Sequence, residues 1–298
     1  MRGWWLVLWL SGWAAAEPAE LNFLTSSQAA EVLRQQDDFL GHLSPFDRQA
    51  RLNTAESVSQ QQFLDYLSGQ TLNWTVEDQH RVDTAWQSLR PKLSQLHLPG
   101  PTTLDLIVTT GLDEGGAAYT RGTAIVLPVS LLSSSKLEGL LTHELFHVLS
   151  RANPTWRAAL YRRLGFKPCL PPAFPAEVQA RRITNPDAPV LDWCWPQPDG
   201  TDYVPVTLSS QALYKPVAGG MFAYLQFSFW QLPRGEIRPV LSSYRERYGK
   251  NTGYLIHPEE ILAEQFVFLV QRKKVPDPTM VDNLREWLQQ AEKEGLHG

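Results

Sequence analysis

A basic stripe, a membrane-length apolar run and a cysteine framework are all missing from this chain of 298 residues. No basic stripe runs along the chain, and the formal charge is −4, so nucleic acid is not the expected partner. The strongest apolar run, Trp4–Trp13, falls short of the roughly 20 residues that a helix needs to span a bilayer. There are two cysteines, Cys169 and Cys194, and neither has a second one two to four residues away, which excludes a cysteine-based zinc finger. With 43% hydrophobic and 19% charged residues the chain nevertheless carries enough apolar material to fold around a core.

The first residues read as a targeting signal. Arg2 precedes the apolar run, Ala14-Ala15-Ala16 supplies small residues before a cleavage point, and Glu17-Pro18 follows. Residues 1–16 are therefore expected to be a signal peptide of a protein exported to a periplasmic or extracellular compartment, with no stable membrane span once it is removed. An uncleaved anchor is the alternative. An even cysteine pair fits an oxidising compartment, and Cys169–Cys194 reads as a disulfide closing a loop of about 25 residues, with two free buried thiols as the other reading.

Residues 17–100 read as a helical N-terminal region without evident chemistry, either a helical subdomain or a pro-segment. Thr75 and Asp78 form a capping-box-like start, and Val82, Trp86 and Leu89 follow at helical spacing. His97-Leu98-Pro99-Gly100-Pro101 marks a boundary. Residues 101–298 form the expected catalytic domain, with an insertion at about 165–235. Leu104–Val108, Ala117–Thr120 and Thr123–Leu127 read as short strands. Ser135 and Glu138 suggest a second capping box, opening a helix to about Ser150.

That helix carries His143-Glu144-Leu145-Phe146-His147. Histidines four apart lie about 40° apart on one helix face, so both imidazoles can reach one metal ion. Glu144 is turned about 100° from His143, placed to act as general base on a water at the metal. A third ligand is then required. The candidate stretch is His257-Pro258-Glu259-Glu260-Ile261-Leu262-Ala263-Glu264, where Pro258 suits the first helical position and acids follow in the first turn. Glu260 and Glu264 share a face, so one can bind zinc while the other supports an imidazole, whereas Glu259 is off that face.

With these motifs the chain resembles the gluzincins, zinc metallopeptidases with His-Glu-x-x-His on one helix and a glutamate ligand on a later one. In thermolysin-like and prenyl-protein-processing relatives the later helix reads Glu-x-x-x-Asp. Here Glu260-Ile261-Leu262-Ala263-Glu264 has that spacing, with Glu in place of Asp. The run Gly122–Val148 is also similar to the strand-then-helix entry of the processing peptidases, and the likeness covers about 60 residues. The resemblance implies zinc as cofactor, His143, His147 and Glu260 as ligands, Glu264 behind them, and a peptide or protein substrate. The chain departs from the pattern in spacing, since His147 and Glu260 lie 113 positions apart across a proline-rich stretch. Arg151-Ala152-Asn153 stands where the three-histidine metzincins carry their glycine and third histidine.

Tyr203–Leu208 and Met221–Trp230 read as strands, and the aromatic residues around them as the core of a β-rich insertion or as a cleft wall. Tyr254 and His257 are the nearest candidate oxyanion donors by sequence. The fold expectation is α+β: a helical N-terminal region, a small mixed β-sheet and a two-helix zinc site with a disulfide-bearing insertion. The functional expectation is an exported zinc metallopeptidase. The alternatives are a catalytically inert zinc-stabilised binding or scaffold protein, and a zinc hydrolase of a non-peptide amide.

Overall fold

The computed structural model describes residues 19–96 and 98–295; the signal-peptide reading of residues 1–16 lies outside them. The N-terminal region is mostly helical: strand β1 (Glu20–Phe23) is followed by α1 (Ser26–Arg34), α2 (Asp38–His42), α3 (Pro45–Arg51), α4 (Gln60–Gly69) and α5 (Val76–Leu93). Local chemistry starts these helices. Thr25, Ser44 and Ser59 each close a capping box, and Thr75 accepts from the Asp78 backbone as its spacing predicts.

Next come β2 (Thr103–Thr109), β3 (Tyr119–Arg121), β4 (Ala124–Pro128), α6 (Leu137–Ala152) and α7 (Pro154–Leu164). The first sheet runs in the order β1-β2-β4-β3, with β1, β2 and β4 parallel and β3 antiparallel at the edge. Its central strands β2 and β4 are near-continuous apolar runs because both faces are covered. Leu104, Leu106, Val108, Ile125 and Leu127 join the core shared with α5 and α6, whereas Ile107, Ala124 and Val126 pack with α1 and α4. The N-terminal helices thus form one outer layer of this sheet, and β1 is one of its strands.

The insertion contains β5 (Lys167–Pro168), α8 (Ala176–Gln179), β6 (Trp193–Pro196), β7 (Asp202–Ser209), β8 (Leu225–Leu232) and β9 (Glu236–Pro239), joined as one antiparallel sheet. Cys169 and Cys194 form a disulfide beside the β5–β6 pair. Trp195, Tyr203, Phe229 and Tyr244 pack ring against ring beneath this sheet, so most of the aromatic density is core. Helices α9 (Ser242–Tyr248), α10 (Pro258–Val270) and α11 (Thr279–Lys293) complete an α+β fold.

Three local readings shift. Helix α6 starts at Leu137 with Lys136 at the cap position and no side-chain cap bond, so the Ser135–Glu138 box does not form, and the Glu138 carboxylate accepts from Lys92 instead. The second hairpin strand begins at Leu225, because Gly219 and Gly220 at φ 88° and 54° turn the chain into a 3-10 segment, Gly220–Tyr224. Strand β1 carries no isolated signal, being four residues whose partner is remote in sequence.

A buried ion cluster locks the layers together. The Arg51 guanidinium donates to both oxygens of Glu114 (2.7 and 2.6 Å) and to Asp47 (2.7 Å). Asp47 in turn accepts from the amide and hydroxyl of Thr184, and Arg51 also reaches the Thr184 carbonyl. Three elements distant in sequence thereby share one desolvated charge network. Removing one partner leaves the others charged and unpaired in the interior, so Arg51→Ala is expected to lower unfolding free energy by about 3–5 kcal/mol. A urea midpoint within error of wild type would show that the cluster contributes nothing.

Candidate metal centre

Helix α6 buries Leu141, Leu145, Phe146, Val148 and Leu149 on its core side. The opposite side presents His143, Glu144 and His147 toward α10, and Phe146 packs on Phe266 with ring centroids 5.6 Å apart. Helix α10 is apolar enough to be buried nearly throughout, and its first turn carries acid into that interior: Glu259 is 1% exposed and Glu260 0%. A solvated acidic first turn, the ordinary use of such residues, is therefore excluded. Carboxylates so placed need donors or a cation.

They have both within reach. Glu260 Oε2 lies 3.1 Å from His143 Nε2 and 3.5 Å from His147 Nε2. The two imidazoles stand nearly perpendicular, 4.8 Å apart. Each turns its other nitrogen to a separate carboxylate: His143 Nδ1 to Glu264 Oε1 at 3.2 Å, His147 Nδ1 to Glu259 Oε1 at 3.0 Å. An Nδ1–H donated to a carboxylate fixes the tautomer that leaves Nε2 free to ligate. His147 Nε2 is fully buried and has no hydrogen-bond partner. One donor atom from each of His143, His147 and Glu260 lies within 4.8 Å of the others, so the three could hold a metal ion.

The supporting carboxylates are themselves tied. Glu259 also accepts from Ser150 Oγ and Tyr161 OH, and Glu264 accepts from Thr252 Oγ1 at 2.9 Å. Glu260 Oε1 accepts from Asn185 Nδ2. Glu259 is off the Glu260–Glu264 face, as its spacing requires, yet it reaches His147 because α10 crosses α6 and offers a second face to that ring. Two acids in one first turn, on a helix with no polar side, was the sequence signal for it.

Electrostatics follow from this packing. Burial pulls the His143 imidazole down, but its bonds to Glu260 and Glu264 outweigh burial and push it up to about 10. His147 is likewise raised well above its ordinary value, Glu260 and Asp187 overcoming burial. Against burial, His147 and His143 hold Glu260 well below the usual carboxylate range. The point where the two Nε2 atoms meet is thus a place that favours positive charge. Glu144 goes the other way, pushed up to about 8 by burial and by the neighbouring Asp187. Its Oε2 is buried without a partner.

His143 and Glu144 open onto a cavity of about 700 Å³ with an apolar wall that includes Ala118, Leu140, Phe222 and Val267. Tyr254 is on the same wall, its ring 6.2 Å from that of His143. His257 is the N-cap of α10: its Nδ1 accepts from the Glu259 amide at 3.1 Å and its ring meets Tyr161 edge-on. Burial pulls its imidazole down to about 4. Asn185 and Asp187 come from the proline-rich insertion, and nothing in their sequence context marks them; Thr184, held by Asp47, delivers them.

The connections separate a ligand from its supports. Glu260→Ala is expected to abolish tight metal binding, whereas Glu264→Ala and Glu259→Ala should each weaken it by about 10–100-fold. Metal titration of the three variants checks this, and a larger loss for Glu264→Ala would exchange the roles. No family model matches the chain, and no curated protein or solved structure matches it either.

Proposed function

We propose that the chain is an exported zinc-dependent hydrolase that cleaves peptide bonds. One observation carries the reading: two Nε2 atoms and one carboxylate oxygen converge, each imidazole held from behind, while Glu144 on the same helix turn is buried with an unused oxygen. Two imidazoles and one carboxylate suit zinc, and three protein ligands leave a position open, as catalytic sites require. When bound, zinc supplies a Lewis acid for a carbonyl oxygen and lowers the pKa of a water toward 7.

The chain's own residues do the rest. Glu264 and Glu259 keep the imidazoles oriented, and Asn185 keeps Glu260 from rotating. Glu144 accepts the proton of the attacking water and returns it to the departing amine. Tyr254 lines the cavity near His143, where its hydroxyl is the candidate donor to the developing oxyanion; His257 spends Nδ1 on the helix cap. The apolar wall supports a peptide or protein side chain as the bound group, and the disulfide fits an oxidising compartment. A scaffold that merely stores zinc has no need of Glu144.

Purified protein is expected to carry about one zinc per chain and to cleave a peptide library. Glu144→Gln should keep its zinc while losing about 10²–10⁴-fold in rate, because it removes the base and no ligand. Wild-type turnover by that variant, or a zinc-loaded wild type inert toward every peptide, would overturn the reading.

A further inference from the structure

We propose that Asp187 is a specificity residue of the metal cavity, its carboxylate receiving a cationic group of the substrate, the α-ammonium next to the scissile carbonyl. The inference rests on the peptide-hydrolase reading and narrows it to peptides with a free amino terminus.

Asp187 is held as firmly as the histidines. Its Oδ1 accepts from the Thr120 amide at 2.7 Å and the Thr120 hydroxyl at 2.6 Å, on edge strand β3. Its own amide donates to Asn185 Oδ1, and its carbonyl accepts from Arg151. Among the described residues no hydrogen bond engages Oδ2. The carboxylate lies with Glu144 and His147 in a group whose facing atoms are within 4.8 Å of one another. This second group could itself hold a metal ion and shares His147 with the group formed by His143, His147 and Glu260; Asp187 lies on the side of the base.

Charge then decides what binds there. Glu144, Asp187, Glu259, Glu260 and Glu264 are five carboxylates around two imidazoles, and a divalent ion would offset two of their charges. Arg151 donates its N–H groups to the carbonyls of Gly122, Pro186 and Asp187, and its charge acts on the Asp187 carboxylate from a distance without a hydrogen bond to it. Lys136 and Lys273 also line the cavity and are exposed. Glu144 and Asp187 face each other, and the buried, unpartnered oxygen of Glu144 leaves acceptors there for a group with several N–H donors. An ammonium one bond from the carbon bearing the scissile carbonyl has the opposite charge and that number of donors. Because Asp187 also occupies the Thr120 amide, edge strand β3 is closed there to an extended substrate backbone, which again favours recognition by the chain end.

Leucine hydroxamate and N-acetyl-leucine hydroxamate, which differ in the free amine, test this by calorimetric titration into zinc-loaded protein at about pH 6.5, where the amine is protonated. Wild type is expected to bind the free-amine form at least about tenfold more tightly, the scale of a charged hydrogen bond. Asp187→Asn, with zinc content and circular dichroism checked, should bring the two affinities within about threefold of each other. Equal binding by wild type overturns the inference even if the variant does not fold. So does a variant that keeps the preference, or one that loses zinc and thereby shows Asp187 to be a ligand. Binding of neither compound overturns both readings. A preference for the free amine without hydrolysis of any free-amine peptide sinks the peptidase reading and leaves this one standing.

Discussion

A carboxylate moved out of water costs several kcal/mol unless donors or cations replace its hydration. Helix α10 buries two in its first turn, and a third, Glu264, follows one turn later at the edge of the cavity. The surrounding architecture can be read as the answer to that cost. Two histidines on α6, a serine at the end of the same helix, a tyrosine on α7, a threonine before α10 and an asparagine from the insertion each supply a donor. No single element could satisfy these acids, so the centre exists only where four parts of the fold meet.

The Arg51 cluster plays the equivalent part for the loop that carries Asn185 and Asp187. Thr184 is bound to Asp47 through its amide and its hydroxyl, and Arg51 takes its carbonyl. The N-terminal helices therefore fix, through two residues of α3, the position of two polar side chains on the rim of the centre. Among the described residues, region 17–100 contributes no atom to the groups that could hold a metal ion, yet it clamps the loop whose Asn185 bonds Glu260.

What the sequence displays plainly is whatever repeats at short range. The helix carrying His143 and His147 is legible from its 3.6-residue period, and Glu260 with Glu264 from the same period. Thr75 reads correctly as a cap because capping is decided within four residues. Ser135 misleads because the helix begins one residue later, with Lys136 at the cap position and no side-chain cap bond. The roles of Glu259, Asn185 and Asp187 are set by helix crossing and by a loop clamped from 137 residues away, and β1 by a partner strand beginning at Thr103. These are tertiary decisions, and a local pattern has no means of recording them.

The ligand spacing has a temporal side. The histidines of α6 and the glutamates of α10 are separated by the whole disulfide-bearing insertion, so a chain emerging from its N-terminal end presents both imidazoles long before the third oxygen exists. The first sheet and α6 can dock on one another while the centre still lacks its closing helix. The group of side chains that could hold a metal ion is therefore completed only when α10 reaches α6.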